Sequence, residues 1–136
     1  MNHTPYIDGA WIAADGLQQT EVRNPATGDP LGSYARGERR HVRDAVTAAH
    51  RAFPEWSAQV PRARARLLLE AAGRLRANAE SLAEAVTREN GKPFAESKGE
   101  VEGAAAHFEW FAEEGCRAYG RIVPPGGAGK RHLVIR

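Results

Sequence analysis

Only one of the 136 residues is cysteine and only one is methionine. A single thiol, Cys116, excludes an internal disulfide and the paired-cysteine spacing of a zinc or redox site. Flanked by Gly115 and Arg117 with no recognisable activating base, it reads as a helix cysteine without a role. Long apolar runs are also missing: none approaches the roughly 20 residues of a membrane span. The opening stretch, MNHTPYIDGAW, has neither the basic region nor the apolar core of a secretion signal, so the cytoplasm is the expected location. Aromatics make up 7% and the net charge is only +2. What is present, 42% hydrophobic and 26% charged residues with 14 glycines and 8 prolines, is too apolar for disorder and too interrupted for a coiled coil. By length alone the chain reads as one small domain that buries roughly two-thirds of its unfolded surface.

The small net charge conceals an uneven distribution. Residues 36–76 hold ten arginines against four acids, and residues 77–114 hold nine glutamates against three basic residues, giving blocks of +6 and −6. Opposed blocks of equal size predict helical faces that meet each other. A nucleic-acid reading of the basic block, centred on Pro61-Arg62-Ala63-Arg64-Ala65-Arg66, lacks interleaved aromatics for stacking on bases, and the acidic block repels the same phosphates. No nucleic-acid partner is expected, and solvated faces and internal ion pairs account for the charges.

Residues 1–37 read as short strands and turns. Tyr6-Ile7, Asp8-Gly9 and Trp11-Ile12 form a hairpin pattern, because Asp-Gly supplies the positive φ angles of a two-residue turn. Glu21–Arg23 and Leu31–Ala35 are further extended pieces around the turn-rich Asn24-Pro25-Ala26-Thr27-Gly28-Asp29-Pro30. From Glu38 the hydrophobic period lengthens. Val42, Ala45, Val46, Ala49 and Phe53 predict a helix over 38–52 that stops before Pro54. A second helix begins at Pro61 with Leu67, Leu68, Ala71 and Leu75, and continues through Leu82, Ala85 and Val86 with a bend near Asn78. Gly91 suits a left-handed C-terminal cap and Pro93 the first position of a third helix, whose stripe is Val101, Ala104, Ala105, Phe108, Phe111 and Ala112, ending near Gly120. A loop over 124–129 precedes a strand at His132–Ile135. The sequence ends inside that strand.

Chemistry is sparse. The glycines of Gly126-Gly127-Ala128-Gly129 follow no predicted strand and open no helix, so they make no dinucleotide fingerprint. Histidines 3, 41, 50, 107 and 132 lack metal spacing. His107 and Glu100 share a helix face without a third ligand or nucleophile. Trp11, Trp56 and Trp110 read as core or interface fillers. No residue is expected to be catalytic or cofactor-binding.

The order of segments nevertheless resembles the N-terminal part of the aldehyde dehydrogenase superfamily. The matching pieces are Tyr6-Ile7-Asp8-Gly9-Ala10-Trp11, Asn24-Pro25-Ala26-Thr27-Gly28, and Ala45-Val46 through Ala52-Phe53 with Trp56. They continue with Arg64 or Arg66 before Leu67–Leu69, Glu89-Asn90-Gly91-Lys92-Pro93, Gly99-Glu100-Val101 and Leu133-Val134-Ile135-Arg136. Trp110-Phe111-Ala112-Glu113-Glu114 with Tyr119-Gly120 is most similar to the succinate-semialdehyde dehydrogenase branch.

The resemblance implies an α/β fold of short strands, three main helices and the start of an oligomerisation-sheet strand. Residues 1–37 would be N-terminal strands, 38–120 the helical part of a cofactor-binding domain, and 121–136 the loop and first strand of the oligomerisation segment, together less than one domain. It implies NAD- or NADP-dependent oxidation of an aldehyde to an acid in a homo-oligomeric full-length enzyme: a thiolate attacks the carbonyl, hydride leaves, and water releases the thioester. The family's nucleophilic cysteine, general-base glutamate and oxyanion asparagine all lie downstream of residues 1–136. Cys116 and Glu100 do not occupy those positions, so this chain alone is expected to be inactive and to bind no cofactor. One minor site carries over, a monovalent cation between the backbone of Val22 or Arg23 and the carboxylate of Glu89. Phe108, Phe111 and Leu67–Leu69 are expected to be partly exposed, with marginal stability as the result. An alternative reading is a stand-alone helical module that docks on a dehydrogenase subunit or another partner through the edge of an unpaired Leu133–Ile135 strand.

Overall fold

The computed structural model describes residues 2–135; Met1 and Arg136, the ends of the first and last sequence segments considered above, lie outside them. The elements are β1 (Asn2–His3), β2 (Tyr6–Ile7), β3 (Ala10–Trp11), β4 (Gln19–Arg23), β5 (Pro30–Ala35), α1 (Arg39–Ala58), α2 (Pro61–Ala77), α3 (Ala79–Asn90), α4 (Phe94–Arg117), β6 (Arg121–Val123) and β7 (His132–Val134). The α/β order of strands, helices and strands matches expectation, with four helices where three were expected.

The β2–β3 hairpin forms as its sequence dictates. Asp8 and Gly9 have φ of 54° and 83°, and Tyr6 pairs with Trp11 across the ladder. The two rings meet edge to face with centroids 5.0 Å apart. In a second sheet β5 is central, with β4 antiparallel on one side and β1 parallel on the other. The β4–β5 connection is a closed hydrogen-bonded turn: Asn24 N–H donates to the Asp29 carbonyl (2.9 Å), Gly28 N–H to the Asn24 carbonyl (2.8 Å), and Ala26 N–H to Asn24 Oδ1 (2.9 Å).

Two helix boundaries differ from the sequence reading. Helix α1 runs through Pro54 to Ala58, because proline forfeits only its own bond to the fourth residue back while later residues keep theirs. The Ser57 hydroxyl donates back to the Pro54 carbonyl (3.0 Å) within this last turn. The expected bend near Asn78 is a full break: at φ −112° and ψ 16° Asn78 leaves helical geometry and separates α2 from α3. The Asn78 Nδ2 donates to the Arg74 carbonyl (2.8 Å), which stabilises the break. Gly91 caps α3 at φ 83°, as expected, and Pro93 stands just before α4 rather than inside it.

Helix α4 packs against both α2 and α3, and the contact is made of small side chains. Ala72 from α2, Ala83 from α3, and Ala105 and Ala112 from α4 are buried together with Val101 and Ser97. Of the predicted α4 stripe, Val101, Ala105 and Ala112 are core, whereas Ala104, Phe108 and Phe111 are exposed. Exposure of Phe108, Phe111, Leu67 and Leu69 agrees with the expectation drawn from the resemblance. The three tryptophans are exposed as well, so none fills the core.

Among the described residues five of the seven buried apolar side chains are alanines, so little apolar surface is withdrawn from water. The chain exposes 10640 Å². A compact monomer of 14.8 kDa exposes roughly 7,000 Å². The excess, about 3,600 Å², is surface that a compact monomer of this mass would withdraw from water. Among the described residues no helix is long and apolar enough to cross a membrane.

Candidate functional site

The loop between β4 and β5 and the junction between α3 and α4 come together in space. A Cβ added to Gly91 would lie 2.9 Å from Pro25 Cγ, so the Asn-Pro turn rests directly on the glycine cap. Glycine is required twice over here, by its positive φ and by this approach. Gly91→Ala is expected to destabilise the fold by about 1–3 kcal/mol, combining left-handed strain with the displacement of Pro25. Urea unfolding followed by helix circular dichroism measures it, and an unchanged midpoint would show that the turn does not bear on the cap.

Beside this contact lies an open cleft of about 510 Å³ between β4–β5 and α3. Val22 and Glu89, the two residues singled out for a cation, both line it, together with His3, Ser81, Glu84 and Arg88. Arg23 does not. Its guanidinium donates to Glu21 (2.7 Å) and to the Gly28 carbonyl (2.9 Å), which ties the Asn-Pro turn to β4. The wall of the cleft thus mixes the Glu84 and Glu89 carboxylates with the Arg88 guanidinium and the His3 imidazole. Among the described residues no group of three or more His, Cys, Asp or Glu side chains is placed to hold a metal.

The remaining polar residues are structural ties. Glu100 pairs with Lys92 (2.5 Å), across the start of α4. His107 Nδ1 lies 2.7 Å from the Gly103 carbonyl on its own helix, so Glu100 and His107 are engaged separately. His41 Nδ1 accepts the Glu38 N–H (2.9 Å) at the α1 N-terminus. Thr87 and Ser97 hydroxyls meet at 2.9 Å and join α3 to α4. Ser97 sits four residues before Val101 on the same face, a spacing from which its burial was legible.

Among the described residues the opposed charge blocks meet through Arg76. Arg76 on α2 pairs with Glu102 (2.6 Å) and Glu109 on α4; Lys98 on α4 pairs with Glu80 on α3 within the acidic block itself. Hydrogen bonding to Arg76 holds the Glu109 carboxyl below its ordinary value. A lowered carboxyl contributes stability that is present above its unfolded pKa and lost as pH falls through the folded one. The melting difference between wild type and Arg76→Gln is therefore expected to be present at pH 6 and to disappear below the ordinary carboxylate range. Because the pair is exposed, the difference at pH 6 is expected to be small. A difference that persists at pH 2.5 would show that Arg76 acts through packing.

Cys116 is half-buried beside an open groove of about 690 Å³ between the start of α2 and the end of α4, near Arg62, Arg66 and Glu113. Glu113, the carboxylate lining that groove, is drawn to Arg117 (3.6 Å). Gly126, Gly127 and Gly129 lie in the β6–β7 connection and open no helix. Gly37, between β5 and α1, is followed by Glu38, whose carboxylate is paired with Arg40 (2.9 Å).

The final strand is paired, unlike the free strand invoked by the alternative docking reading: β7 forms an antiparallel hairpin with β6, Ile122 opposite Leu133. Sequence reading missed β6 because Arg121–Val123 is too short to show a period. Gly120 belongs to this hairpin, since a Cβ there would overlap the Val134 carbonyl oxygen.

Comparison with known proteins gives one consistent result. Residues 11–136 match the aldehyde dehydrogenase family. The chain is 42% identical over 130 residues to the NADP-dependent succinate-semialdehyde dehydrogenase of Escherichia coli (strain K12), covering 96% of this chain and 27% of that one. It is 40% identical over 136 residues to the 3-sulfolactaldehyde dehydrogenase of Pseudomonas putida, with 28% of that protein covered. Among solved structures, an E. coli NADP-dependent enzyme superposes with a TM-score of 0.92 at 41% identity over 98% of this chain. The succinate-semialdehyde dehydrogenase of Burkholderia pseudomallei superposes with a TM-score of 0.89, also at 41% identity. The chain thus spans little more than a quarter of the length of these relatives.

Proposed function

The chain belongs to the aldehyde dehydrogenase family, and from that premise we propose that residues 1–136 are the N-terminal part of an NAD- or NADP-dependent enzyme that oxidises a semialdehyde such as succinate semialdehyde to the carboxylic acid. The observation that carries the proposal is identity of about 40% sustained along the whole chain to semialdehyde dehydrogenases. When bound, the nicotinamide accepts hydride from the aldehyde carbon. In this reading residues 1–37 supply edge strands, 38–120 helical cover for the cofactor domain, and 121–136 the first hairpin of an oligomerisation segment in a cytoplasmic homo-oligomer. This chain's residues contribute architecture: the Asn-Pro turn seated on Gly91 fixes the β4–β5 sheet against α3, and Arg76 fixes α2 against α4.

A chimera tests the proposal. Replacing the matched segment of the E. coli succinate-semialdehyde dehydrogenase with residues 1–136 is expected to leave an enzyme that reduces NADP with succinate semialdehyde. A folded, oligomeric chimera without turnover would overturn it.

The cleft between Val22 and Glu89 is, in the same reading, a site for a monovalent cation. Adding potassium or sodium to that chimera is expected to raise its melting temperature more than the same concentration of choline, and Glu89→Gln is expected to remove the difference. Equal responses to all three ions would refute the site.

A further inference from the structure

We infer that Asn90 is a self-modification site: its amide becomes a carboxylate through a cyclic imide with Gly91, at a rate set by how often the Asn-Pro turn lifts off the Gly91 cap. The only co-reactant is water. The Gly91 nitrogen attacks the Asn90 side-chain carbonyl carbon, the amide nitrogen leaves as ammonia together with the Gly91 proton, and water then opens the five-membered ring. Opening at one carbonyl gives aspartate. Opening at the other gives isoaspartate, whose main chain runs through the side-chain methylene and is longer by that carbon.

The chain has asparagine at positions 2, 24, 78 and 90, and the chemistry favours the last. Asn24 precedes Pro25, which has no N–H to give up. Asn78 precedes Ala79, whose Cβ crowds the ring, and its Nδ2 is held by the Arg74 carbonyl (2.8 Å). Asn2 precedes the bulkier His3. Asn90 is followed by glycine, which offers no side chain to hinder closure, and it is exposed to the water that opens the ring.

The fold restrains the reaction at the same place. Asn90 is the last residue of α3, and its helical backbone turns the Gly91 nitrogen out of the plane that the ring needs. The Gly91 N–H is also engaged, donating to the Thr87 carbonyl (2.8 Å). Two contacts keep this turn closed: Pro25 rests on Gly91, and the Thr87 hydroxyl meets that of Ser97 (2.9 Å). Ring closure therefore waits for local opening of the last turn of α3. Conversion then places a further carboxylate beside Glu89 at the C-terminal end of α3, where the helix dipole disfavours negative charge. Isoaspartate also displaces Gly91 from beneath Pro25. Opening of the junction thus leads to its lasting weakening.

The test incubates residues 1–136 at neutral pH in water enriched in heavy oxygen, followed by mass spectrometry of tryptic peptides. Label is expected to enter peptide 89–98 before the peptides that carry Asn2 and Asn78. The rate is expected to be about ten to a thousand times lower than in free synthetic peptide 89–98, the range of local openings short of global unfolding. Pro25→Ala, which removes the ring carbons seated on Gly91, is expected to speed conversion at least about fivefold. Hydrogen exchange in α2 and α4 shows that the variant still folds, and exchange over 87–92 is expected to quicken. The converted fraction, separated by anion exchange, is expected to melt below the unconverted one. Earlier labelling at Asn2 or Asn78, or a folded chain that does not convert, would overturn the site. A rate equal to that of the free peptide, or a folded Pro25→Ala chain that converts no faster, would overturn the restraint by the turn, and equal melting of the two fractions would overturn the weakening.

Discussion

Purified residues 1–136, incubated with succinate semialdehyde and either NAD or NADP, are expected to form no NADH or NADPH above the protein-free rate. Aldehyde oxidation through a thioester needs an activated thiolate, donors for the oxyanion, a base for water and a seat for the nicotinamide. Cys116, the one thiol, stands in a groove whose nearest carboxylate, Glu113, is drawn to Arg117. Glu100 is engaged by Lys92 and His107 by its own helix. The glycines of the β6–β7 connection open no helix, so they offer a dinucleotide's phosphates no helix N-terminus. The loss is therefore complete, not a matter of degree. Absorbance at 340 nm follows it, with Cys116→Ser as the control for a trace contaminant. A protein-dependent rate abolished by Cys116→Ser would place chemistry in this chain and overturn the expectation.

The largest effect on stability is expected from Ala105→Asp. Ala105 is fully buried on α4, which packs against α2 and α3, and the Arg76 guanidinium that reaches α4 from α2 is committed to Glu102 and Glu109. An unpaired carboxylate there costs about 3–5 kcal/mol. Total stability of an ordinary domain is about 5–15 kcal/mol, and this chain's thin alanine core places it toward the lower end. Ala105→Asp is expected to abolish cooperative melting of the helices at pH 7. Ala105→Leu, which overfills the same contact, is expected to cost about 1–3 kcal/mol. Ala106→Asp, exposed one residue away, is expected to cost only the difference in helix propensity, under about 1 kcal/mol. Thermal circular dichroism distinguishes the three. Equal melts for the two aspartate variants would show that the α2–α3–α4 contact does not hold the fold together.

How much of this was legible depended on whether the controlling interaction is local. The Asp8-Gly9 hairpin, the Gly91 cap and the start of α2 at Pro61 follow from backbone preferences of one or two residues, and the structure has them where the sequence places them. Asn78 was visible as a bend but not as a break, because the break depends on its side chain bonding the Arg74 carbonyl. Pro54 was misleading, since a proline weakens a helix only at its own position and the following turn re-forms around Ser57. The candidate cleft was half legible. Val22 and Glu89 came from resemblance, while Arg88 and Glu84 on its wall are brought there only by the angle of α3 to the sheet.

By itself the sequence determined most of the local elements and the family, because each follows from residue identity, short-range spacing or the order of motifs along the chain. The tertiary structure decided which apolar residues are core. Ser97, Val101, Ala105 and Ala112, not the phenylalanines, are buried in α4, which packs against α2 and α3 and leaves Phe108 and Phe111 outside. It also decided that, among the described residues, Arg76 joins the opposed charge blocks, since its position on α2 faces two carboxylates about two turns apart on α4. A periodic stripe records that a face is apolar; whether this chain covers that face is set by how its helices pack, and on α1 Val42, Val46 and Phe53 stay exposed.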